Sequence, residues 1–386
     1  MMIPRNIYTE EHQLFIESVR DFYEKEIVPH HDQWEKEGMI SREAWKKAGE
    51  MGFLCINMPE EYGGSDVDFR YSAILIEEQA KSGCSGPGFS LHSDIVAPYI
   101  LHQGTELQKH KYLPKMATGE IIAALGMTEP GAGSDLKNIR TTAIKEGDHY
   151  IVNGSKTFIT NGYMSDLVLV AVKTDSQNSD KAKGISLLLM DTNAEGFSKN
   201  KPFKKVGMKA QDTCELFFDN VKVPASNLIG EEGMGFIYMM QELPRERLIV
   251  AVTGIATAEA ALQHTIRYVN EREAFGKPVS KFQNTRFKIA EMASEIQMGR
   301  LLVDRCIELL AEGKLDAETG AMAKYICTEI QCKVVDECVQ LHGGYGYMWE
   351  YWIARAYADS RVQKIYAGTN EIMKEIIARK LLDNKD

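Results

Sequence analysis

The sequence has little cysteine, and the spacing of its cysteines excludes two kinds of stabilised site. Seven cysteines occur among 386 residues, and even the closest three, Cys327, Cys332 and Cys338, form no C-x-x-C pair. A disulfide framework needs regularly spaced cysteines in an oxidising compartment, and structural zinc sites need paired ligands. We therefore expect free structural thiols in a reducing compartment, and no metal.

The sequence also lacks a block of Lys and Arg, a targeting segment and a long apolar run. The net charge is −10 with both signs mixed along the chain, so a nucleic acid is not expected as a partner. The opening MMIPRNIYTEEHQLF has neither the apolar core of a signal peptide nor the Arg and Ser bias of a transit peptide. No apolar run reaches membrane-spanning length. We expect a soluble cytoplasmic protein with no membrane span.

What is present is a change of pattern along the chain, from helical to extended and back. Apolar residues recur at helical spacing in residues 1–121 and again in residues 231–386. Between them, residues 122–230 contain short apolar and β-branched runs separated by turns rich in Gly, Asp and Asn. The pattern predicts a mainly α protein with a central β domain, divided at 1–121, 122–230 and 231–386.

Two local features predict specific structures. Asn153-Gly154 lies inside HYIVNGSKTFITNG (149–162) and is a strong signal for a tight hairpin turn between two short strands. Pro244 is expected to kink or start the long helix that follows it, because proline cannot donate the helical N–H bond.

Three glycine-containing stretches are candidates for a cofactor site. In MTEPGAGSD (127–135), small residues let backbone N–H groups approach an oxygen-rich ligand, although Leu136 replaces the third glycine of a dinucleotide fingerprint. FITNG (158–162) offers Phe158 to cover a flat ring, and QLHGGYGY (340–347) could approach a phosphate. From the residues alone, plain loop geometry, an edge strand and a helix C-cap explain the three stretches at least as well.

LPRERL (243–248) places charged residues at the entry to LIVAVTGIATAEAAL, which is apolar or small almost all round. A helix of that kind is usually buried, so Glu246 is carried toward the interior. A desolvated carboxylate has a raised pKa and can act as a general base. An ion pair of Glu246 with Arg245, Arg247 or another helix is the alternative.

Five motifs, in their order and spacing, resemble the acyl-CoA dehydrogenase family over essentially the whole chain. They are MTEPGAGSD, FITNG, REAFGKPVSKFQ (272–283), QLHGGYGY and IYAGTNEI (365–372). SGPGFSLHSDIV, GMKAQDT and HGGYGYMWEY are similar to the long-chain branch of that family. The resemblance implies an N-terminal helical domain, a small β-barrel-like domain and a C-terminal four-helix bundle, assembled as a homotetramer of paired dimers. It also implies an FAD-dependent oxidoreductase of fatty acid β-oxidation.

The same resemblance assigns residues to FAD and to acyl-CoA. Those that would line the flavin ring, with Thr160 toward flavin N5, are Leu125, Met127, Thr128, Gly133, Ser134, Phe158, Ile159 and Thr160. Those that would reach the FAD of a neighbouring subunit are Arg272, Phe275, Gln283, Gln340, Leu341, His342, Gly343 and Gly344. Those at a helix N-terminus near the cofactor, where the dipole favours anions, are Thr369, Asn370 and Glu371. Those that would meet the acyl-CoA are Ser134, Pro244, Arg247, Ala367 and Gly368.

This chain departs from most of the family at Ala367, where the catalytic glutamate usually stands. In the long-chain and isovaleryl branches the base lies at the position that matches Glu246, so the resemblance implies that Glu246 removes the α-proton, with Glu242 second. The Ala367 N–H and the ribityl 2′-hydroxyl of FAD would stabilise the enolate oxygen. A hydride would leave the β-carbon for flavin N5, giving a trans-2-enoyl-CoA, and the electrons would pass to an electron-transfer flavoprotein.

The acyl chain length is inferred from Gly86-Pro87-Gly88, near where relatives close off the acyl pocket with larger side chains. Small residues there would leave room for a long tail, although a turn that needs glycine explains them equally simply. We expect a saturated long-chain acyl-CoA, with a branched-chain acyl-CoA as the main competitor. An oxygen-dependent acyl-CoA oxidase is disfavoured because those relatives are usually longer at the C-terminus. A non-catalytic FAD- or acyl-CoA-binding paralogue has Ala367 as its only support.

Overall fold

A computed structural model describes residues 3–175 and 181–382, so the outer limits of the two predicted terminal domains lie outside the described residues. The helices before the sheet are α1 (Glu10–Phe22), α2 (Val28–Glu37), α3 (Arg42–Glu50), α4 (Phe69–Ser82), α5 (Ala97–Gln103) and α6 (Glu106–Ala117). Two π-helical segments, Tyr23–Ile27 and Leu91–Val96, join α1 to α2 and lead into α5. π-helical turns are rare and are frequently found at functional sites.

Eight strands form one mixed sheet between the two helical regions. They are β1 (Ala123–Gly126), β2 (Thr142–Glu146), β3 (His149–Thr160), β4 (Leu167–Lys173), β5 (Ile185–Asp191), β6 (Phe197–Lys199), β7 (Thr213–Pro224) and β8 (Leu228–Ile229). The order is β6-β7-β3-β2-β4-β5-β8, and β1 lies parallel to β4 off this path. The strands β4 and β5 are apolar almost throughout because both of their faces are buried.

The hairpin predicted at Asn153-Gly154 is wrong, because β3 is one continuous strand. Gly154 has a φ of +144° and lies where the register between β3 and β7 shifts at a bulge. The Asn153 side chain accepts the backbone N–H of Asn220 on β7 at 2.8 Å. The tight turn falls instead at Gly147-Asp148, between β2 and β3. Both a bulge and a hairpin turn use a glycine with positive φ, which is why the sequence signal was ambiguous.

The remaining helices are α7 (Gly235–Glu271), α8 (Gln283–Ala311), α9 (Ala317–His342), α10 (Trp352–Ser360) and α11 (Asn370–Leu382). Pro244 lies inside α7, so the expectation that it starts this helix is wrong. A two-strand hairpin, β9 (Glu273–Ala274) with β10 (Lys277–Pro278), separates α7 from α8. The helix α9 ends at His342, and Gly343 follows as its C-cap residue with a φ of +59°, although its ψ of −137° lies outside the usual left-handed helical region.

The helix α7 is the central element of the C-terminal bundle. Within the described residues it is the one helix long and apolar enough to cross a membrane by length and composition, and 72% of the apolar window is buried inside the protein. In the sequence Glu259 interrupts this apolar stretch, so no unbroken apolar run of spanning length is visible there. A core helix meets the same criteria, so the feature is weak evidence for a membrane span.

The predicted fold class is confirmed, with a helical region, a central sheet and a second helical region in that order. One apolar core joins both helical regions, since residues of α4 pack with residues of α7, α8 and α9. A second core joins α5 and α6 to the strands β4 and β5 and to the start of α7. The first turns of α7 therefore lie where helical and β layers meet.

Candidate active site

Glu246 lies on the first third of α7 and is 5% exposed. The hydroxyl of Tyr99, on α5, donates a hydrogen bond to its Oε1 at 3.0 Å. Burial raises the pKa of Glu246 to about 7. The Tyr99 hydrogen bond lowers this pKa, nearby Glu242 raises it further, and Arg247 lowers it. A carboxyl group with a pKa near neutrality is suited to general base catalysis.

The two arginines beside Glu246 do not form the ion pair that was the alternative interpretation. Arg247 is buried and donates to the backbone carbonyl of Ala317 at 3.4 Å. Arg245 places its guanidinium 5.7 Å from the centre of the Phe69 ring. Consecutive helical residues point about 100° apart, so neighbours in sequence need not face each other. Among the described residues Glu246 thus forms no ion pair within 4 Å, although the charge of Arg247 is near enough to lower its pKa.

Glu242, one helical turn before Glu246, has a different partner. Its Oε1 lies 2.6 Å from Nδ1 of His102 on α5, and the His102 side chain is 42% exposed. Tyr99 and His102 lie three residues apart on α5, and each contacts one of the two carboxylates on α7. The environment therefore distinguishes the two glutamates, since Glu242 is paired with an imidazole near solvent and Glu246 is not.

The loop before α11 is the second part of the site. Ala367 has a φ of +52° and Gly368 a φ of +88°, and an alanine in the left-handed region is strained by about 1–2 kcal/mol. No hydrogen-bond acceptor among the described residues meets the Ala367 N–H. Nζ of Lys324, on α9, donates to the Gly368 carbonyl at 2.8 Å. The loop therefore holds an unpaired N–H donor in a fixed, strained conformation.

The MTEPGAGSD stretch follows β1 and fits a large ligand. A Cβ atom added at Gly131 or Gly133 would meet no atom within 4 Å, and neither residue has a positive φ. The protein's own fold therefore does not require glycine at these two positions. Open space above exposed backbone is what a cofactor would need for close approach. Ser134 is exposed beside them, while Met127 and Thr128 are half-buried.

The FITNG stretch ends β3 with a strained, exposed aromatic residue. Phe158 is 66% exposed and has a φ of +59°, a conformation rare for a bulky residue and one that clusters at functional sites. Thr160 is half-buried at the last paired position of the strand, opposite Thr213. The Ile159 side chain faces the sheet core, and that of half-buried Leu125 packs against another core. Only the backbone of Ile159 is free to approach a ligand.

The residues that the resemblance assigns to a neighbouring subunit's FAD lie mostly at the surface of this chain. Phe275 is 94% exposed with a φ of +52°. Arg272, Gln283 and Gln340 are exposed, and so are Gly343 and Gly344, whereas Leu341 is half-buried. A Cβ at either glycine would again meet no atom within 4 Å.

His342 is different from the other residues of that group. Its side chain is buried, stacks on Tyr268 with ring centres 4.2 Å apart, and bonds the Cys338 carbonyl at 2.8 Å through Nδ1. Burial lowers its pKa. The imidazole is therefore already packed and hydrogen-bonded within the protein, and only the backbone at this position is available to a cofactor.

The remaining predicted positions surround the loop before α11. Pro244 is buried inside α7. The Thr369 hydroxyl accepts the Ile372 N–H at 3.3 Å, as an N-cap does. Asn370 is buried, while Glu371 is exposed in the first turn of α11.

Gly86 and Gly88 have a simpler explanation than room for a long acyl tail. A Cβ at Gly86 would lie 2.8 Å from side-chain atoms of Ala210 and Ile40, and one at Gly88 would lie 1.9 Å from Oδ1 of Asn161. The glycines are thus required for packing against the β domain. Gly86 and Gly88 therefore give no support for a long acyl tail.

Three contacts were not foreseen from the sequence. They are hydrogen bonds between segments that are separate in sequence. Tyr99 bonds Glu246, Lys324 bonds the Gly368 carbonyl, and buried Lys156 bonds Glu129. A tyrosine or lysine in an amphipathic helix gives no sequence signal of such a role. For Glu129 the position inside MTEPGAGSD was the only available clue.

Comparisons with known proteins agree over the whole chain. Three family models match, namely the acyl-CoA dehydrogenase N-terminal domain at residues 9–120, the middle domain at 124–221 and the C-terminal domain at 233–382. The long-chain specific acyl-CoA dehydrogenase, mitochondrial, of Mus musculus is 52% identical over 98% of this chain and 88% of that protein.

Solved structures give the same result. A crystal structure of an acyl-CoA dehydrogenase from Geobacillus kaustophilus is 54% identical, with a TM-score of 0.97 over 98% of this chain and 100% of that one. A chain in the structure of an electron transferring flavoprotein of Acidaminococcus fermentans is 38% identical, with a TM-score of 0.94 over 99% of this chain and 100% of that one.

Proposed function

This chain belongs to the acyl-CoA dehydrogenase family, and we propose that it oxidises a saturated long-chain acyl-CoA to the trans-2-enoyl-CoA, with Glu246 as the base. The observation that carries the proposal is the state of Glu246. It is a buried carboxyl group with a pKa near 7 and one neutral hydrogen-bond donor. With alanine at position 367, the chain has no glutamate at the other position that the family uses.

In the proposed reaction the residues of this chain handle one proton and one developing charge. The ionised Glu246 takes the α-proton of the thioester, and the electron pair left behind shifts toward the thioester oxygen. The Ala367 N–H donates a hydrogen bond to that oxygen. A donor that is already fixed in position stabilises an oxyanion without a cost of reorganisation. Exclusion of water around Glu246 keeps its carboxylate basic enough for this step.

The residues present fit FAD as the cofactor. The open backbone at Gly131 and Gly133, the exposed Phe158 and the half-buried Thr160 would hold its flavin ring. When bound, FAD would supply the acceptor for the hydride that leaves the β-carbon. Ser134 and Arg247 would hold the acyl-CoA.

The proposed chain length of the substrate and the proposed electron acceptor rest on the relatives. The 52% identity to a long-chain specific enzyme supports a long-chain substrate, with a branched-chain acyl-CoA as the competitor. An electron-transfer flavoprotein as electron acceptor is supported by the resemblance and by the likeness to a chain in the Acidaminococcus structure. The homotetramer is inferred from the family resemblance, which assigns the exposed Phe275 to the FAD of a neighbouring subunit. The cytoplasmic location stays a prediction.

The test is an anaerobic titration of the purified flavoprotein with saturated acyl-CoAs of increasing length, with one branched-chain acyl-CoA included. Bleaching of the visible flavin band by long chains, lost in Glu246→Gln with FAD retained, is the expected result. Glu242→Gln is the matched control, one turn away on the same helix, and should still bleach. If Glu246→Gln bleaches as fast as wild type, Glu246 is not the base. If no acyl-CoA bleaches the wild type, the proposed activity is wrong.

A further inference from the structure

Lys324 is a fully buried lysine whose partners among the described residues include no carboxylate. It is 0% exposed, and Nζ donates to the Gly368 carbonyl at 2.8 Å and to Oδ1 of Asn370 at 2.9 Å. Burial lowers its pKa to about 8 and the positive charge of Arg247 lowers it further, whereas the nearby carboxylates of Glu371 and Glu329 raise it. An ammonium group that is buried without a carboxylate in direct hydrogen-bond contact is costly, so its direct contacts to the loop before α11 need an explanation.

The hydrogen bonds of Lys324 go to the strained loop that presents the Ala367 N–H. Ala367 and Gly368 are two successive residues with positive φ, and a strained backbone persists only where its surroundings hold it in place. Lys324 holds the carbonyl of the second of these residues.

Anchoring of α11 alone does not account for a charged group. The Asn370 side chain donates from Nδ2 to the Thr328 hydroxyl at 3.1 Å and to Oε1 of Glu329 at 2.9 Å. These two contacts, also made from α9, already fix the first residue of α11. The ammonium group therefore adds something beyond the attachment of that helix.

The position of Lys324 relative to α7 indicates what it adds. Gly320 lies one turn earlier on α9, and a Cβ there would be 3.1 Å from the Pro244 carbonyl. The α9 face that carries Gly320 thus packs against the turn of α7 that carries Glu246. Lys324 lies on that face, next to the loop at Ala367.

We propose that Lys324 is a positioning residue for the thioester. Its ammonium fixes the Gly368 carbonyl so that the Ala367 N–H faces the thioester oxygen, and its positive charge stabilises the enolate that forms there. The inference rests on the proposed function, because it assumes that Glu246 removes an α-proton at this place. The electron pair of the broken C–H bond moves onto the thioester oxygen, and the proton moves to Glu246.

The experiment separates proton removal from oxidation. In a 3-thia-acyl-CoA a sulfur atom replaces the β-carbon, so the α-proton can leave but no hydride can follow. The pH dependence of the long-wavelength absorption of the bound anion gives the apparent pKa of that proton. In Lys324→Met we expect about tenfold or more less anion at a given pH, and a kcat that falls by about tenfold or more while KM changes little. FAD content should be unchanged.

Lys199→Met is the matched control. Lys199 also donates to backbone carbonyls, those of Tyr163 and Ser165, and burial also lowers its pKa, but it lies on β6. This variant should deprotonate the ligand as wild type does.

A second variant keeps the test decisive if Lys324→Met does not fold. Lys324→Gln retains a hydrogen-bond donor without the charge, and should also form less anion than wild type. Wild-type behaviour of the 3-thia ligand in either folded variant would overturn the inference while leaving the proposed function intact. Failure of the wild type to bleach with any acyl-CoA would overturn both.

Discussion

At the scale of the residue, the environment of one carboxyl group decides its chemistry. Glu246 and Glu242 lie one turn apart on the same helix, and both are buried. Glu242 is paired with the imidazole of His102, whereas Glu246 receives only the Tyr99 hydroxyl. Burial raises the pKa of Glu246 to about 7, and a hydroxyl that donates to the ionised form moderates this rise.

The first prediction concerns Tyr99. Because the ionised form of Glu246 is the base, kcat/KM of the wild type should rise as the pH increases through about 7 and then level off. Tyr99→Phe removes a hydrogen bond that favours the ionised form, so the rise should shift to higher pH by roughly one unit, with a lower rate at pH 7. A pH–rate profile with a long-chain acyl-CoA checks this.

The control for Tyr99 is Tyr150→Phe, since the hydroxyl of Tyr150, on β3, donates to a different carboxylate, that of Glu232, at 2.7 Å. Its pH profile should match that of wild type. A Tyr99→Phe profile with an unchanged midpoint would contradict the role assigned to the hydroxyl.

At the scale of the element, the MTEPGAGSD stretch is held by an ion pair between its own Glu129 and Lys156 on the strand β3. Nζ of Lys156, on β3, donates to Oε1 of Glu129 at 2.7 Å and to the Met127 carbonyl at 3.1 Å. The same carboxylate accepts the N–H of Thr141 at 3.0 Å, just before β2. The stretch itself contributes no regular secondary structure beyond a single bridge. Its shape therefore depends on this buried pair.

The second prediction follows from that dependence. Lys156→Met leaves the Glu129 carboxylate buried without its partner, and loss of one member of a buried pair costs about 3–5 kcal/mol. We expect lower thermal stability and a purified protein with less bound FAD. The double variant Lys156→Met with Glu129→Gln should recover part of both losses, because no unpaired charge remains. Equal losses in the single and double variants would argue against the ion pair as their cause.

At the scale of the whole molecule, a buried charge network joins the two helical regions. The Arg300 guanidinium, on α8, is 0% exposed and contacts Glu77 on α4 at 2.8 Å and Glu259 on α7 at 2.7 Å. Arg5, before α1, adds contacts to Glu77 at 2.8 Å and to Asp304 at 2.7 Å. Segments that are far apart in sequence thus meet at one point. The oppositely charged side chains of these segments stabilise each other there.

The third prediction tests that network. Arg300→Met should lower the free energy of unfolding by about 3–5 kcal/mol, because it leaves the buried carboxylate of Glu77 and the half-buried one of Glu259 with fewer partners. Arg305→Met, five residues later on the same helix, removes an exposed pair with Glu308 and should cost less than about 1 kcal/mol. Denaturant unfolding of both variants checks this. A similar cost for the two would mean that the buried network stabilises the fold no more than an exposed ion pair does.

The sequence by itself determined the order of the elements and the family. Helical and strand periodicities depend on which face of each element is buried, and that information is local. The five motifs and the replacement at Ala367 identified the candidate residues, including Glu246, without any contact being known. The local signals failed where one signal serves two structures, as at Asn153-Gly154, where a bulge replaced the hairpin.

Only the tertiary structure decided which side chains meet. Tyr99 lies 147 residues from Glu246 along the chain, and Lys324 lies 44 residues from Gly368, so no local pattern could pair them. The structure also showed that Gly86 and Gly88 are packing positions and that the His342 ring is occupied inside the protein. Burial and partner distance set the pKa of a carboxyl group, and both are properties of the folded chain rather than of the sequence around it.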